Sequence, residues 1–302
     1  MRSPEAADRP SHAKARQGEQ RDGARAWTDD DRRVVRRLRM PADPENVETT
    51  PSDDAAVVVS PRAGAVTLLG LPHLRVRRII RGFAAPHIAA FSPGGRYAYV
   101  TDDARGQLVV IGLARGRIVS RTFVGFGAHH MAFRAHHHEL WIALGEQART
   151  IAVVDTSNAA HPERRALFSP GGLVHDLAFP AGGRRLWVTY DDRSTIAVID
   201  ARTRRRLFTL PAGSPPQHIA FRGYGYVTSG NDGRLRIFSV GGRLLGVAKI
   251  PAGSYNLDLS GGRVLTSSLT NGTLTKLGVS GRLLLSRRVA PAARDAAFAV
   301  LP

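Results

Sequence analysis

The chain has 302 residues, of which 43% are hydrophobic and 23% are charged, so it is long enough for a sizeable core and too apolar to be a disordered protein. It contains no cysteine, which excludes disulfides, thiolate zinc sites, iron–sulfur clusters and cysteine nucleophiles. The formal net charge is +18, which favours weak, salt-sensitive binding to anionic surfaces.

The first residues are polar and lack the apolar stretch of a signal peptide. We therefore expect a disordered polar tail over residues 1–23, a folded unit over residues 24–302 and a cytoplasmic location. The sequence has no run of 18 apolar residues, so we expect no transmembrane segment.

From Pro44 onward the chain is a repeat. Similar segments align through one apolar or threonine position in each copy, with steps of 38 to 46 residues. The alignment positions are Thr49, Phe91, Phe133, Phe179, Phe221, Leu259 and Phe298. A period of about 40 residues indicates a repeat architecture in which neighbouring units share their cores.

Each unit carries signals for four short strands. In the second copy, the pattern predicts strands over residues 87–91, 97–101 and 107–111, and an arginine-rich fourth strand that follows Gly116. Tight turns join these strands, and no helical period lies between them. One four-stranded meander cannot bury both of its faces, so the copies must stack as the blades of a single all-β propeller.

Seven innermost strands are predicted, and the last covers residues 294–301. Because its outer strands cannot follow it, we expect residues 24–41 to supply them, so that pairing of the N- and C-terminal strands closes seven blades of four antiparallel strands. No good second strand is visible for this blade. The alternative is a six-bladed ring with a spare C-terminal strand.

The segments YVTDDARGQLVVI, WIALGEQARTIAVVD and WVTYDDRSTIAVID resemble the YVTN-type repeat of seven-bladed propellers, within the lactonase-like and quinoprotein-amine-dehydrogenase-like superfamily. The resemblance implies the propeller fold and leaves the function open, since the family includes binding proteins and lactonase-like enzymes. Two positions depart from the motif: Asp102 replaces its asparagine, and Tyr190 stands where a small residue is usual.

Propellers bring the start of every innermost strand to one mouth of the central channel. Two rows of equivalent residues should therefore meet there. The first row is Glu45, His87, His129, His175, Gln217, Tyr255 and Arg294. The second row is Asn46, Ile88, His130, Asp176, His218, Asn256 and Asp295.

Imidazoles together with carboxylate or amide oxygens suit zinc or another divalent transition metal. The predicted metal ligands are His130, Asp176, His218, Asn256 and Asp295. The predicted contacts to a small molecule or protein partner are His87, His129, His175, Gln217 and Tyr255. The alternative is a water-filled polar tunnel in which these side chains only satisfy buried backbone groups.

The loops between second and third strands should approach the same mouth. They carry Asp102, Asp103, Glu146, Asp191, Asp192, Asn231, Asp232 and Asn271. We interpret these residues as turn caps, with recruitment of a cation as the alternative. Capping explains Glu146 least well, so Glu146 and His175 are the candidate acid–base residues.

Two other groups of residues are interpreted as structural. The tract His136–His137–His138 aligns with hairpin turns at the opposite end of the blade, and Trp141 and Trp187 should pack between blades. Arginines concentrate in the predicted fourth strands, around the whole circumference and with few aromatics between them. No sequence-specific nucleic acid binding is therefore expected.

Three functional hypotheses follow. The first is a binding scaffold without catalysis, which presents the histidine-rich mouth to a small ligand, a metal ion or a protein. The second is a metal-dependent, lactonase-like hydrolase in which the metal polarises an ester carbonyl and activates water. The third is a peripheral binder of anionic surfaces that uses the basic rim.

Overall fold

A computed structural model describes residues 23–27, 34–71, 73–134, 136–145 and 149–299. These residues form strands β1 to β26 and one short 3-10 helix at Asp103–Arg105. No helix in these ranges is long and apolar enough to cross a membrane.

The first three blades are four-stranded antiparallel sheets whose strands follow chain order. Blade 1 has β3 to β6, at Asn46–Thr49, Ala55–Ser60, Ala65–Gly70 and Arg75–Arg81. Blade 2 has β7 to β10, at Pro86–Phe91, Tyr97–Asp102, Gln107–Gly112 and Arg117–Phe123. Blade 3 has β11 to β14, at Ala128–Arg134, Glu139–Leu144, Ile151–Asp155 and Glu163–Phe168.

The next three blades repeat this order. Blade 4 has β15 to β18, at Val174–Ala178, Arg185–Tyr190, Thr195–Asp200 and Arg206–Pro211. Blade 5 has β19 to β22, at Ile219–Arg222, Tyr224–Ser229, Arg234–Ser239 and Leu244–Lys249. Blade 6 has β23 to β26, at Asp258–Ser260, Arg263–Ser267, Thr273–Gly278 and Leu283–Arg288.

The core lies between the blades, as the stacking argument predicts. The second and third strands are buried along nearly their whole length because each blade packs on both neighbours, whereas the fourth strands are mostly exposed. Trp141 of blade 3 belongs to an apolar cluster with Leu177 and Val188 of blade 4. Trp187 of blade 4 makes edge contacts with Phe221 of blade 5. The prediction of a single all-β propeller with four-stranded blades is confirmed.

The predicted number of seven blades is wrong, and the six-bladed alternative is confirmed. Six four-stranded sheets are present in the described part of the chain. Strands β1 (Gly23–Trp27) and β2 (Val34–Arg39) pair with each other in a separate two-stranded sheet. Residues 294–299 are not in a strand, so the predicted pairing of N- and C-terminal strands is absent from the described ranges. The predicted tail lies outside those ranges over residues 1–22.

The C-terminal segment instead joins blades 6 and 1 through side chains. Asp295 Oδ2 accepts hydrogen bonds from Asn46 Nδ2 at 2.9 Å and from the backbone N–H of Val47 at 3.0 Å. On the other side, Asp258 Oδ2 accepts a hydrogen bond from the backbone N–H of Phe298 at 2.6 Å. Because no second strand lies beside this segment, carboxylate side chains rather than a strand ladder supply its hydrogen bonds to backbone N–H groups.

Candidate functional site

Five imidazoles line one side of the channel mouth, at or just before the first residues of the innermost strands of blades 2 to 5. We call them the histidine arc, and they are His87, His129, His130, His175 and His218. Their strands begin at residues 86, 128, 174 and 219, so stacking of the repeats brings residues far apart in the sequence to one place.

β-Bulges explain how adjacent residues can contribute to one cluster, although strand geometry normally sends neighbours to opposite faces. The ladder of β11 skips from Ala128 to Met131, which leaves His129 and His130 without partners on β12. The ladder of β7 skips from Pro86 to Ala89, so His87 also lies in a bulge. A bulge redirects side chains, and these bulges occur at the positions that supply imidazoles.

The threonines of the YVT-like strands fill these irregularities. The Thr189 hydroxyl accepts a hydrogen bond from the backbone N–H of Asp176 at 3.0 Å and donates to the carbonyl of Gln217 at 2.6 Å. Thr228 makes the same kind of bonds to His218 and Tyr255. Each hydroxyl therefore satisfies the backbone beside a site residue and links its blade to the next one.

His130 occupies the middle of the histidine arc. Its ring centroid lies 4.5 Å from that of His218, 4.8 Å from that of His129, 5.0 Å from that of His175 and 5.1 Å from that of His87. His87 and His129 stack with their centroids 3.5 Å apart. The side chain of His130 is buried, and its neighbours are at most partly exposed.

Loop carboxylates orient two of the imidazoles. His129 Nδ1 lies 2.9 Å from Asp103 Oδ2, and His175 Nδ1 lies 2.8 Å from Asp191 Oδ1. A neutral imidazole that donates from Nδ1 to a carboxylate carries its lone pair on Nε2. This arrangement is common beneath metal-binding histidines, because it fixes both the tautomer and the ring orientation.

Asp176 lies between two further imidazoles without a close bond to either one. Its carboxylate oxygens are 3.7 Å from His130 Nδ1 and 3.5 Å from His218 Nδ1. The same oxygens accept hydrogen bonds from the backbone N–H groups of Leu177 and Ile219, at 2.7 and 2.9 Å. The carboxylate therefore mainly holds blade 4 to blade 5.

Burial keeps three imidazoles of the arc neutral. Desolvation lowers the pKa of His87, His130 and His218 well below the usual value, and repulsion by neighbouring imidazoles lowers it further. Desolvation raises the pKa of Asp176 to about 6. Neutral imidazoles are the form that binds a metal ion.

The arc fits a divalent transition metal in two respects. His130 Nδ1 is buried and has no hydrogen-bond partner among the described residues, an arrangement that a native site needs a reason to keep. Two sets of ligand nitrogens lie within 4.8 Å of one another, and both include His130: His87 with His129, and His175 with His218. Nitrogens bound to zinc at about 2 Å are about 3.3 Å apart, so side-chain shifts of about 1 Å would complete either set.

The predicted metal set is divided between the two sides of the channel. The structure brings His130, Asp176 and His218 together, whereas Asn256 Nδ2 donates to the carbonyl of Arg294 at 2.8 Å and Asp295 closes the ring. His87, His129 and His175, which we had assigned to ligand contacts, are the imidazoles beside His130.

The remaining predicted contacts lie farther along the ring. Gln217 Oε1 accepts a hydrogen bond from the backbone N–H of Gly230 at 2.9 Å, and the Tyr255 hydroxyl lies 3.4 Å from Asn231 Oδ1. Both residues therefore hold the loop after β20. The candidate base Glu146 lies outside the described residues, and the other candidate, His175, belongs to the histidine arc.

Three carboxylates lie on the other side of the channel, which we call the acidic side: Glu48, Asp258 and Asp295. Sequence reasoning had named Asp295 and missed Glu48 and Asp258. Desolvation raises the pKa of all three, to about 6 for Asp295, and repulsion by other acidic-side carboxylates raises the pKa of Glu48 and Asp295 further. Glu48 lies two residues after Asn46 on β3, so period-2 alternation from the second row identifies it. Asp258 follows Asn256 in the same way.

The other loop residues bond neighbouring segments rather than their own turns, which differs from our interpretation of them as turn caps. The Asp102 carboxylate accepts hydrogen bonds from the backbone N–H groups of Ala84 and Ala85. Asp192 accepts one from Leu173 and forms an ion pair with Arg193. The tract at residues 136–138 is an exposed turn at the opposite end of blade 3.

No family model and no curated protein matches the chain. Solved propellers match its structure at low identity. A protein of unknown function from Desulfotomaculum acetoxidans has 14% identity and a TM-score of 0.75, with 86% of this chain and 90% of that chain covered. The Myceliophteria thermophila Cps50 (Swd1) propeller domain has 15% identity and a TM-score of 0.69, with coverage of 82% and 87%. Hydrazine synthase from Kuenenia stuttgartiensis has 15% identity and a TM-score of 0.68, with coverage of 79% and 77%. These similarities support the fold alone.

Proposed function

We propose that this propeller is a metal-binding scaffold whose histidine arc holds a divalent transition metal ion at the channel mouth. The observation that carries the proposal is the buried Nδ1 of His130, which lacks a hydrogen-bond partner among the described residues while four other imidazoles surround its ring. A metal ion held by neighbouring imidazoles explains why the fold keeps so many of them together in a buried place.

The donor set favours particular metals. Imidazole nitrogen suits Zn²⁺, Cu²⁺ and Ni²⁺, whereas Ca²⁺ and Mg²⁺ need carboxylate, carbonyl and water oxygens. The carboxylates of Asp103 and Asp191 lie behind the imidazoles of His129 and His175 rather than beside a common centre. They would orient the ligands and offset part of the metal charge.

The proposal assigns binding rather than catalysis, because the carboxylates nearest the arc already have partners. Asp103 and Asp191 face imidazole Nδ1 atoms, and Asp176 accepts two backbone hydrogen bonds. The bound ion would complete a surface for a small molecule or a protein at the mouth. We also assign the chain to the YVTN-type propellers, which the threonine bonds of Thr189 and Thr228 support.

The lactonase-like hydrolase remains the competing hypothesis. It needs a group next to the metal that is available to move a proton. Asp191 fixes the ring of His175, an arrangement that serves a metal ligand and a general base equally. Zinc-loaded protein that hydrolyses simple lactones faster than a metal-stripped sample would favour the hydrolase over the scaffold.

Metal titration tests the proposal. Apo protein, stripped by a chelator, is mixed with Zn²⁺, Cu²⁺ or Ni²⁺, and the bound metal is measured by elemental analysis after gel filtration and by calorimetry. We expect one equivalent of tightly bound metal in the wild-type protein. His130→Ala/His218→Ala should abolish this binding, since it removes the central ligand and one of its closest neighbours.

His136→Ala/His138→Ala is the matched control, because it removes two exposed histidines at the other end of blade 3 and should leave binding unchanged. His130→Gln, which keeps most of the side-chain volume, repeats the test if the alanine variant does not fold. Wild-type protein that binds no metal, or a control that loses binding to the same extent, would disprove the proposal.

A further inference from the structure

A cleft of about 540 Å³ lies between blades 1 and 2, at the end of the propeller opposite to the histidine arc. Its walls come from the β3–β4, β7–β8 and β9–β10 turns, together with the start of β10 and one residue of β6. The first two of these turns follow the far ends of innermost strands whose beginnings form the mouth. The volume is typical of small-molecule sites.

The lining is strongly cationic. Its four exposed arginines are Arg77, Arg96, Arg115 and Arg117. The acidic residue in the lining is Asp54, whose carboxylate accepts hydrogen bonds from Ser52 Oγ at 2.5 Å and Thr50 Oγ1 at 2.8 Å. These bonds lower the pKa of Asp54 and hold its carboxylate within its own turn.

One of the arginines is held in place by the fold. Arg77 Nη2 donates to the carbonyl of Asp54 at 3.1 Å. The side chain packs on Gly70, where a Cβ atom would lie 2.3 Å from Arg77 Nε. Only glycine leaves room for the guanidinium there, so the backbone of β5 fixes one cationic group at the edge of the cleft.

The other three guanidiniums have no partner in the described part of the chain. Arg96, Arg115 and Arg117 make no side-chain ion pair or hydrogen bond with any described residue, so their charge is available to a ligand. Arginine binds phosphate through paired N–H donors, which makes such a group a strong anion site when several face one space.

The counterpart of Arg77 between blades 3 and 4 is neutralised by carboxylates. Arg165, the third residue of its fourth strand like Arg77, forms ion pairs with Asp155 and Glu163, each at 3.1 Å. Arg134 pairs with Glu139 at 2.9 Å. Arg77 therefore lacks, among the described residues, the carboxylate partners that its counterpart Arg165 has.

We propose that the cleft binds a small phosphorylated molecule with an apolar or aromatic body, of the nucleoside polyphosphate class. The arginines meet the phosphates, and Tyr97, Leu113 and Val119 form the apolar part of the wall against which the body packs. The site is independent of the metal proposal, because it lies at the other end of the molecule and uses none of the same residues.

Calorimetry in low-salt buffer with a chelator tests the proposal, with ATP, pyrophosphate and adenosine as probes. We expect ATP to bind most tightly, pyrophosphate more weakly and adenosine not at all. Arg96→Gln/Arg117→Gln should weaken ATP binding by about tenfold or more, since each lost guanidinium removes charge-assisted hydrogen bonds. Gly70→Ala should weaken it less, by displacing Arg77.

The matched control is Arg184→Gln/Arg205→Gln, which removes two exposed arginines from the equivalent turns of blade 4 and leaves the same net charge. The loss of ATP affinity in this control should be about tenfold smaller than the loss in the cleft variant. Equal weakening by both double variants would show binding to diffuse positive charge only, and would overturn the proposal. Absent ATP binding, or pyrophosphate affinity equal to that of ATP, would overturn it as well.

Discussion

The histidine arc and Asp295 of the acidic side occupy equivalent positions of the repeat on opposite sides of one channel, yet their side chains have different roles. On the acidic side, Asp295 and Asp258 accept backbone hydrogen bonds that join the C-terminal segment to its neighbours. In the arc, the Nδ1 of His130 has no such bond within the described chain. Repeat equivalence therefore determines where a side chain lies, and local hydrogen bonding determines if it is structural or available to a ligand.

The largest expected effect is the loss of ring closure in Asp295→Ala. Asn46 Nδ2 and the backbone N–H groups of Val47 and Ala296 lose their acceptor, at about 2 kcal/mol each when buried, and removal of a desolvated charge returns about 3 kcal/mol. We expect the free energy of unfolding to fall by about 3 kcal/mol in urea titrations. His87→Ala in the apo protein should lower the free energy of unfolding by only about 1 kcal/mol. The nearest carboxylate, that of Glu45, lies 4.0 Å from His87 Nδ1, which is too far for a hydrogen bond that the substitution could remove.

The comparison would fail if both variants lost the same stability. Equal losses would mean that the arc is as structural as the acidic side, and that its imidazoles are held by packing rather than reserved for a ligand.

The second prediction concerns pH. Burial raises the pKa of Asp295 to about 6, above the value of an unfolded chain, so the native state holds this proton between about pH 4 and pH 6. The contribution of this group to stability is therefore largest at low pH and falls as pH rises through that window, by about 2 kcal/mol. Asp295→Asn carries no such proton, so its stability relative to wild type should improve from pH 4 to pH 6. Parallel stability curves for the two proteins would contradict this prediction.

A third, smaller effect tests the threonines that support the arc. Thr189→Val removes a buried hydroxyl that bonds Asp176 and the carbonyl of Gln217, and should lower the free energy of unfolding by about 1.5 kcal/mol. Thr209→Val, on the exposed fourth strand of the same blade, should change it by less than about 0.5 kcal/mol. Similar losses in both variants would show that the hydroxyl does not hold the bulge.

Much of this architecture could be predicted from the sequence, because period, turn residues and strand patterns are local signals. The meeting of His130 and His218 followed from the repeat alone. The sequence did not predict that His175 lies beside them while Asp295 lies on the other side of the channel. That arrangement depends on bulges such as the one at His129 and on which hydrogen-bond donor each carboxylate binds. The blade count was wrong because a C-terminal strand pattern does not reveal if a partner strand pairs with it.

The smallest predicted effect separates orientation of the imidazoles from their presence. Asp103→Asn and Asp191→Asn should each weaken zinc affinity by about tenfold without changing the stoichiometry, because an amide accepts the imidazole N–H less strongly than a carboxylate and lowers ligand basicity. Asp192→Asn is the matched control: its carboxylate lies next in sequence to Asp191 but bonds Arg193, so zinc affinity should stay the same. Competition titrations against a chelating dye measure all three. If the control weakens binding as much as Asp191→Asn, the loop acts through its overall charge, and the Nδ1 contacts do not distinguish the arc from the acidic side.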